Sequence, residues 1–260
     1  MAREIGLNTL AYMHRFADSK VEQKEILQEI KEMGFPIVEV RREYILSGKT
    51  EMKEIAQRAS ASGLKVFYSV PAELFTAGVL NAQMGNYFEE ASLLGAVQLK
   101  VTLGEFRGFT AKLTEEVRQL LTAYPIRLTI ENDQSAEKGI PAVLMGFIAE
   151  ARKASLDIGL TFDTGNFIYI DSDPFVAAKE MRDAVSYIHI KNVAVTENGI
   201  TVSGLESGLV DMRRLLSLFP DSVPASIARA APSASRSASG MPCDVSGSRK
   251  KPASQTSIQP

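Results

Sequence analysis

The chain has 260 residues, of which 45% are hydrophobic and 23% charged, an ordinary composition for a globular domain. Its formal net charge of -2 provides no basic field that would hold nucleic acid. It contains no apolar run of about 18 residues that would span a membrane, and it begins without an apolar signal segment. The single cysteine, Cys243, cannot form an internal disulfide. The absence of a signal segment, of a membrane span and of disulfides together favours the cytoplasm.

Short strand-like runs alternate with amphipathic helical runs from residue 4 to about residue 216. The predicted strands are 4–10, 37–42, 64–70, 97–103, 127–133, 158–164 and 186–193. The predicted helices are 21–34, 50–62, 77–95, 113–123, 140–154, 174–184 and 209–218. Alternating β and α units of this kind predict a parallel sheet with right-handed crossovers.

The alternation of side chains along the strands distinguishes a barrel from an open sheet. In the fifth predicted strand, Leu128 and Ile130 share one face, whereas Thr129 and Glu131 share the other. Four further strands show the same apolar face and the same face that becomes polar toward the carboxyl end. A doubly wound sheet is buried on both faces and should be apolar on both. The pattern therefore favours an α/β fold of the (β/α)8 TIM-barrel type, with its functional mouth at the carboxyl ends of the strands.

The composition changes abruptly near residue 224. Residues 224–260 are rich in Ser, Ala, Pro and Arg, carry five Lys or Arg residues against one Asp, and show no helical or strand period. We therefore expect a barrel domain over 1–223 and a tail over 224–260 that is disordered or the product of a reading-frame change. The eighth strand should begin near Val223, where the pattern stops, so this strand is expected to be missing or aberrant.

Three consecutive strands each place a metal-ligand side chain on the polar face, namely Glu131, Asp163 and His189. A lone inward Glu or a lone buried His is more often structural than a ligand. The coincidence of all three at the same end of adjacent strands favours a site for a divalent metal such as Mn, Co, Mg or Zn.

Further polar side chains project toward the same mouth and suggest a polyol-like ligand. These candidate substrate-binding residues are Glu39, Arg41, Lys100, Asn166 and Lys191. Each has a simpler interpretation, since the cations would also neutralise nearby carboxylates. Their number exceeds what neutralisation needs and therefore favours a polar, polyol-like small molecule as the ligand. His14 lies in the loop after the first strand, where an exposed position is the better interpretation.

Residues 4–223 resemble the xylose isomerase-like TIM barrel family of sugar phosphate isomerases and epimerases. The resemblance rests on Leu128-Thr129-Ile130-Glu131-Asn132, Phe162-Asp163-Thr164-Gly165-Asn166, Tyr187-Ile188-His189-Ile190-Lys191-Asn192-Val193, Ile37-Val38-Glu39-Val40-Arg41 and Leu205-Glu206-Ser207-Gly208-Leu209-Val210-Asp211. Within the family, Lys100 and the segment from Glu39 to Arg41 look closest to the 2-ketogluconate epimerase-like branch.

The resemblance implies a metal held by Glu131, Asp163 and His189 together with a Glu at the end of the eighth strand. It also implies proton abstraction next to a carbonyl through an enediolate, on a keto-sugar, sugar phosphate or sugar acid. Glu131 would be both a metal ligand and the general base, and the strand-eight Glu would act on the opposite face. Members of the family often form homo-oligomers.

The sequence departs from that pattern at one place. The expected strand-eight acid would fall among Ile227, Ala228 and Arg229, and no Glu occurs after Glu206. We therefore expect weak metal binding, little activity, and unpaired edges on the first and seventh strands.

Two other functions stay open, a polyol dehydratase on the same barrel and a non-catalytic sugar-binding barrel. Abasic-site DNA repair, which uses a related barrel, is disfavoured because it needs more metal ligands than a chain with two histidines offers.

Overall fold

The computed structural model of the protein describes residues 2–19 and 21–229. Eight parallel strands, called here the first to eighth barrel strands, close on themselves. They are Ile5–Asn8, Ile37–Arg41, Lys65–Thr76, Ala96–Gly104, Arg127–Glu131, Ile158–Asp163, Val185–Thr196 and Ala225–Arg229. Each pairs with its neighbours in chain order, and the eighth pairs with both the seventh and the first. The predicted TIM-barrel fold is thereby confirmed.

Helices surround the barrel and alternate with the strands along the chain. Helices between successive strands are Leu27–Glu32, Gly48–Ser62, Met84–Leu93, Ala111–Ala123, Pro141–Lys153, Pro174–Met181 and Met212–Leu216, and two additional helices are Met13–Ser19 and Asn166–Tyr169. Local sequence fixes several of their ends. The Thr110 hydroxyl, for example, accepts a hydrogen bond from the Leu113 amide, and Gly63 ends its helix with a positive φ of 63°. None of the described helices combines the length and apolar character that a bilayer-spanning helix requires.

The apolar residues form two separate clusters. The larger one lies between the strands and the helices, where residues such as Val38, Leu99 and Ile130 are fully buried. The smaller one consists of Ile37, Phe67 and Tyr187. These three residues lie near the beginnings of their strands and share the inward parity of Glu39 and His189. The amino-terminal end of the barrel interior is therefore apolar, which leaves the carboxyl-terminal end for polar chemistry.

All seven predicted strands are present, but some of the other expected boundaries are wrong. Residues 77–83 do not belong to a helix, because Val79–Leu80 pairs antiparallel with Phe75 and Thr76 at the end of the third strand. The seventh strand continues to Thr196 and forms a hairpin with Gly199–Ser203. Both hairpins include the carboxyl-terminal ends of barrel strands, where the connecting segments vary most among barrels.

The expectation of a missing or aberrant eighth strand with open edges on its neighbours is corrected by the structure. Ala225 pairs with Ile5 on one side and with Ile188 on the other, and Ser226 pairs with His189. Five residues suffice because main-chain hydrogen bonds require no particular side chains, and Ala225 is small enough to be fully buried. The barrel therefore extends past the expected boundary at residue 223, to Arg229. The rest of the expected tail, 230–260, lies outside the described residues.

Replacement of Ala225 by Asp tests this closure. The buried carboxylate would lack a partner between the eighth strand and the helices, so we expect the free energy of unfolding to fall by about 3 kcal/mol or more. Ala111→Asp is the matched control, because Ala111 is exposed in the first turn of its helix, where an acid is neutral or mildly stabilising. Urea unfolding measures both. Equal stability of the two variants would contradict a closed barrel.

Candidate functional site

Glu131, Asp163 and His189 meet at the carboxyl-terminal mouth of the barrel, as the sequence predicts. They lie on the fifth, sixth and seventh strands, and Asp163 and His189 are directly paired in the sheet. One ligand atom from each residue lies within 4.8 Å of those from the other two. Two carboxylate oxygens and one imidazole nitrogen at this spacing suit a divalent cation.

The imidazole of His189 is held between two carboxylates. Its Nε2 lies 2.9 Å from both carboxylate oxygens of Glu39, and its Nδ1 contacts Glu131. Glu39 is fully buried and also accepts hydrogen bonds of 2.8 Å from the hydroxyls of Tyr187 and Ser226. Because Nε2 donates to Glu39, Nδ1 is the ring nitrogen that faces Glu131 and the other ligand atoms. An outer carboxylate of this kind fixes the orientation of a histidine ligand.

This arrangement shifts the pKa of each member in a direction that follows from its charges. Burial by itself would lower the pKa of His189, but Glu39 and Glu131 outweigh it and raise that pKa to about 9. Burial by itself would raise the pKa of Glu39, yet His189 and then Lys100 bring it down to about 2. Burial also acts to raise the pKa of Glu131, and Lys100 and His189 hold it well below its usual range. In the metal-free protein, an imidazolium therefore lies between two carboxylates.

Each carboxylate of the predicted metal site also has a lysine partner. Lys100 lies 2.6 Å from Glu131 and is almost fully buried. Lys191 lies 3.2 Å from Asp163 and donates a hydrogen bond to Asn166. These ammonium groups balance the carboxylates in a barrel interior that excludes most of the water.

Backbone groups fix the position of Asp163. Its Oδ1 accepts hydrogen bonds from the amides of Gly165 (2.9 Å) and Asn166 (3.0 Å). Asn132 bonds to both the amide and the carbonyl of Asp163. A Cβ at Gly165 would come within 2.8 Å of the Lys191 side chain, so glycine permits the close approach of the two segments.

A cavity of about 260 Å³ opens over this cluster. It is lined by Leu10, Arg41, Glu131, Gln134, Asp163, Asn166, Tyr169, His189, Lys191, Val202 and Ala228. Of the five residues predicted to bind substrate, Arg41, Asn166 and Lys191 lie on its wall. Glu39 and Lys100 are not among the lining residues; they are buried and bonded to His189 and Glu131 instead.

Some lining residues were not predicted from the sequence. Gln134 and Tyr169 lie in segments that follow the fifth and sixth strands, and Val202 comes from the hairpin after the seventh. The alternation of side chains along strands does not apply to such segments. The only signal in the sequence is that each segment follows a strand that carries a predicted metal ligand. His14 is exposed, as expected. Arg41 pairs with Glu43 and not with Glu39.

Ala228 occupies the part of the cavity wall where the sequence resemblance implies a carboxylate. It is buried on the eighth strand between Ile227, which pairs with Ile190 of the seventh strand, and Arg229, which pairs with Lys191. Its methyl group offers neither a metal ligand nor a base.

Neither a protein-family profile nor a curated protein matches the chain, but solved structures share its fold. The E. coli 3-keto-D-glucoside 4-epimerase YcjR is 14% identical with a TM-score of 0.62, over 89% of this chain and 94% of that one. The probable 3-DHS dehydratase AsbF from Bacillus anthracis is 14% identical with a TM-score of 0.62, over 87% and 91%. The IOLI protein, solved with a bound zinc atom, is 13% identical with a TM-score of 0.62, over 86% and 87%.

The chain spans 38% of the length of another similar structure, a fusion of a xylose isomerase-like TIM barrel with 4-hydroxyphenylpyruvate dioxygenase. An AP endonuclease of family 2 from Brucella melitensis, 15% identical with a TM-score of 0.60 over 87% of this chain and 92% of that one, also has this fold. These likenesses establish a xylose isomerase-like TIM barrel fold. At such identities they leave the reaction to be argued from the cavity itself.

The charge on His189 makes stability depend on pH. The imidazolium is favoured in the folded protein, so its stabilising contribution is complete below the ordinary pKa of 6.5 and is lost as pH rises through about 9. We therefore expect the metal-free protein to lose stability over this range. Glu39→Gln removes one of the two carboxylates that hold the proton and should move the loss to lower pH.

NMR titration of His189 in an EDTA-treated sample measures the pKa directly. The chain has two histidines, so a His14→Gln background leaves His189 as the single source of imidazole signals. A titration of His189 near pH 6.5 that Glu39→Gln leaves unchanged would show that the two carboxylates do not hold this proton.

Proposed function

We propose that the cavity is a metal-dependent sugar isomerase or epimerase site that removes a proton next to the carbonyl of a keto-sugar. The observation that carries the proposal is the convergence of Glu131, Asp163 and His189 at one end of a barrel, with ligand atoms within 4.8 Å of one another. The fold shared with a sugar epimerase and with a zinc-bound protein supports it. Mn, Co, Mg and Zn all suit these donors.

The residues present fit a divalent ion, with one protein ligand fewer than the family resemblance implies. Glu39 turns His189 so that Nδ1 faces the site. The amides of Gly165 and Asn166 bind Oδ1 of Asp163, so the ion would be bound by Oδ2, the oxygen that contacts Lys191. Lys100 and Lys191 must share their carboxylates with the incoming ion, which weakens binding. When bound, a divalent ion polarises the carbonyl and hydroxyl oxygens of a sugar and so makes the adjacent proton more acidic.

Glu131 is the residue best placed to accept that proton. Its carboxylate lines the cavity, and Lys100 and His189 hold its pKa well below the usual range, so it is ionised at neutral pH. The proton would pass to a carboxylate oxygen of Glu131 and return from there to the neighbouring carbon or oxygen. Lys191 and Asn166 offer donors and acceptors to the sugar hydroxyls. Tyr169, Leu10 and Val202 add apolar surface to the cavity wall.

The position of Ala228 limits this chemistry to one face of the sugar. Inversion at a carbon requires that the proton leave from one side and return to the other, and the eighth strand carries no carboxylate to return it. We therefore expect exchange or isomerisation on the Glu131 face and very slow epimerisation. Loss of a well-placed general acid or base commonly costs ~10²–10⁴-fold in rate.

Ala228→Glu tests this account of the site. A carboxylate on the eighth strand would add a ligand and a negative charge, so we expect Mn²⁺ affinity to rise at least about tenfold and epimerase activity to appear. Ala228→Gln is the matched control, because it adds nearly the same volume without the charge. Isothermal titration with Mn²⁺ measures the affinity. Tight stoichiometric binding by the unmodified chain, unchanged in Ala228→Glu, would contradict the account.

Solvent isotope exchange distinguishes the proposed reaction from a dehydratase, the activity of a protein that shares this fold. In D₂O, proton abstraction by Glu131 should place deuterium next to the carbonyl of a keto-sugar without loss of water, and Glu131→Gln should abolish this. Mass spectrometry reads both outcomes from one sample. Elimination of water would assign the site to a lyase.

A non-catalytic sugar-binding barrel is the second candidate function, and Ala228 is the observation that favours it. A site selected only for binding does not need a proton-transferring carboxylate on the eighth strand. This candidate predicts sugar binding without deuterium exchange, and no activity in Ala228→Glu even when Mn²⁺ binds tightly.

A further inference from the structure

The eighth strand places a buried hydroxyl beside the histidine of the metal site. Ser226 is fully buried and pairs in the sheet with His189 on one side and with Gly6 on the other. Paired residues of neighbouring parallel strands face the same side of a sheet, so Ser226 and His189 both point into the barrel. The Ser226 hydroxyl therefore lies among the side chains that surround the imidazole.

This hydroxyl and the Tyr187 hydroxyl bond the same carboxylate oxygen. Each donates a hydrogen bond of 2.8 Å to Oε2 of Glu39, whereas both oxygens of Glu39 lie 2.9 Å from Nε2 of His189. The two hydroxyls come from the seventh and eighth strands, and the carboxylate comes from the second. Two donors on one oxygen set the rotation of the Glu39 carboxylate, independently of the imidazole.

The rotation of Glu39 decides which ring atom of His189 faces the site. A half-turn of an imidazole about its Cβ–Cγ bond exchanges Nδ1 with a carbon, which cannot bind a metal. The hydrogen bond from Nε2 to Glu39 holds the ring in the orientation in which Nδ1 faces Glu131. The Tyr187 ring packs against the imidazole edge to face, with centroids 5.2 Å apart. A carboxylate free to turn would hold the ring less firmly.

We propose that Ser226 and Tyr187 are positioning residues of the metal site, whose hydroxyls hold Glu39 so that Glu39 holds Nδ1 of His189 toward the ion. The inference rests on the proposed function, because it concerns the ion that His189 would bind. Neither hydroxyl residue lines the cavity, so each acts on the ion only through Glu39 and His189. The eighth strand thus contributes to metal binding although it supplies no ligand.

A matched control separates positioning from mere burial of a polar group. A buried carboxylate needs hydrogen-bond donors for stability alone, so loss of the Ser226 hydroxyl could act on stability only. Ser69 is also fully buried, and it pairs with Arg41, which lines the cavity, so it faces the barrel interior. Its hydroxyl has no hydrogen-bond partner in the described part of the chain. Ser69→Ala therefore removes the same atom without affecting Glu39.

Isothermal titration of the full chain with Mn²⁺ measures the effect on metal binding. We expect Ser226→Ala and Tyr187→Phe each to weaken Mn²⁺ binding at least about fivefold, because partners beyond the ligands of a metal commonly contribute ~10–100-fold to affinity. Ser69→Ala should bind Mn²⁺ as the unmodified chain does. Tyr187→Phe keeps the ring that packs on Phe67, so it tests the hydroxyl even if Ser226→Ala does not fold.

NMR of the metal-free chain measures the orientation of the ring. In a His14→Gln background, the Nε2 proton of His189 should give one sharp signal, because it is buried and bonded to Glu39. Ser226→Ala and Tyr187→Phe should broaden or split this signal as the ring samples a second orientation. Ser69→Ala should leave it unchanged. A loss of overall stability alone would not alter the line shape of the folded protein.

The outcomes separate this inference from the proposed function. Mn²⁺ affinity that neither hydroxyl variant changes, or that Ser69→Ala changes equally, would overturn the inference while the metal-dependent function stands. Absence of Mn²⁺ binding by the unmodified chain would contradict the proposed function. In that case, an Nε2 signal that responds to Ser226→Ala and not to Ser69→Ala would support the positioning of His189 by the hydroxyls, and a signal that responds to neither would overturn it.

Discussion

The contact between Glu39, His189 and Glu131 is the interaction on which the site depends. An imidazole enclosed between two carboxylates at the centre of a barrel holds a proton that burial alone would remove. Replacement of that proton by a divalent ion exchanges one cation for another between the same carboxylates. The two carboxylates thus stabilise a positive charge between them whether it is a proton on His189 or a bound metal ion. Metal binding should therefore release the Nδ1 proton of His189.

The surrounding residues either neutralise the charges of this cluster or fix the positions of its side chains. Lys100 and Lys191 neutralise the remaining carboxylate charge, and the hydroxyls of Tyr187 and Ser226 satisfy Glu39. The eighth strand contributes twice, since Ser226 supports Glu39 while Ala228 leaves the opposite wall of the cavity without an acid. The site therefore keeps the groups that orient His189, although it lacks a carboxylate on the eighth strand. That combination is the reason for proposing that the cavity binds a metal and transfers a proton on one face of a sugar.

Strand parity predicted much of this from the sequence. Alternating faces placed Glu131, Asp163 and His189 at one end of neighbouring strands, and the structure brings them together. The same parity placed Glu39 and Lys100 on the inner face, but it could not tell how deep they lie. Both are buried partners of the predicted metal ligands, and Arg41 bonds an acid two residues away along the chain. Depth and pairing depend on the lengths and angles of eight strands at once, which no local pattern contains.

The eighth strand shows a second limit of sequence patterns. Its composition resembles the Ser- and Ala-rich segment that follows, so hydrophobic periodicity gave no signal beyond Val223. The strand forms because both neighbouring edges offer main-chain hydrogen bonds, a tertiary cause. Gln134, Tyr169 and Val202 escaped prediction for the related reason that segments beyond the strand ends have no fixed period.

A crystal structure of the chain soaked with Mn²⁺, with anomalous scattering to locate the ion, would show whether His189 and its carboxylate neighbours bind a metal. We expect one ion bound by Glu131, Asp163 and Nδ1 of His189, with Nε2 still bonded to Glu39 and no protein ligand from the eighth strand. An ion bound through Nε2, or one held elsewhere while Lys100 and Lys191 keep their carboxylates, would contradict this expectation.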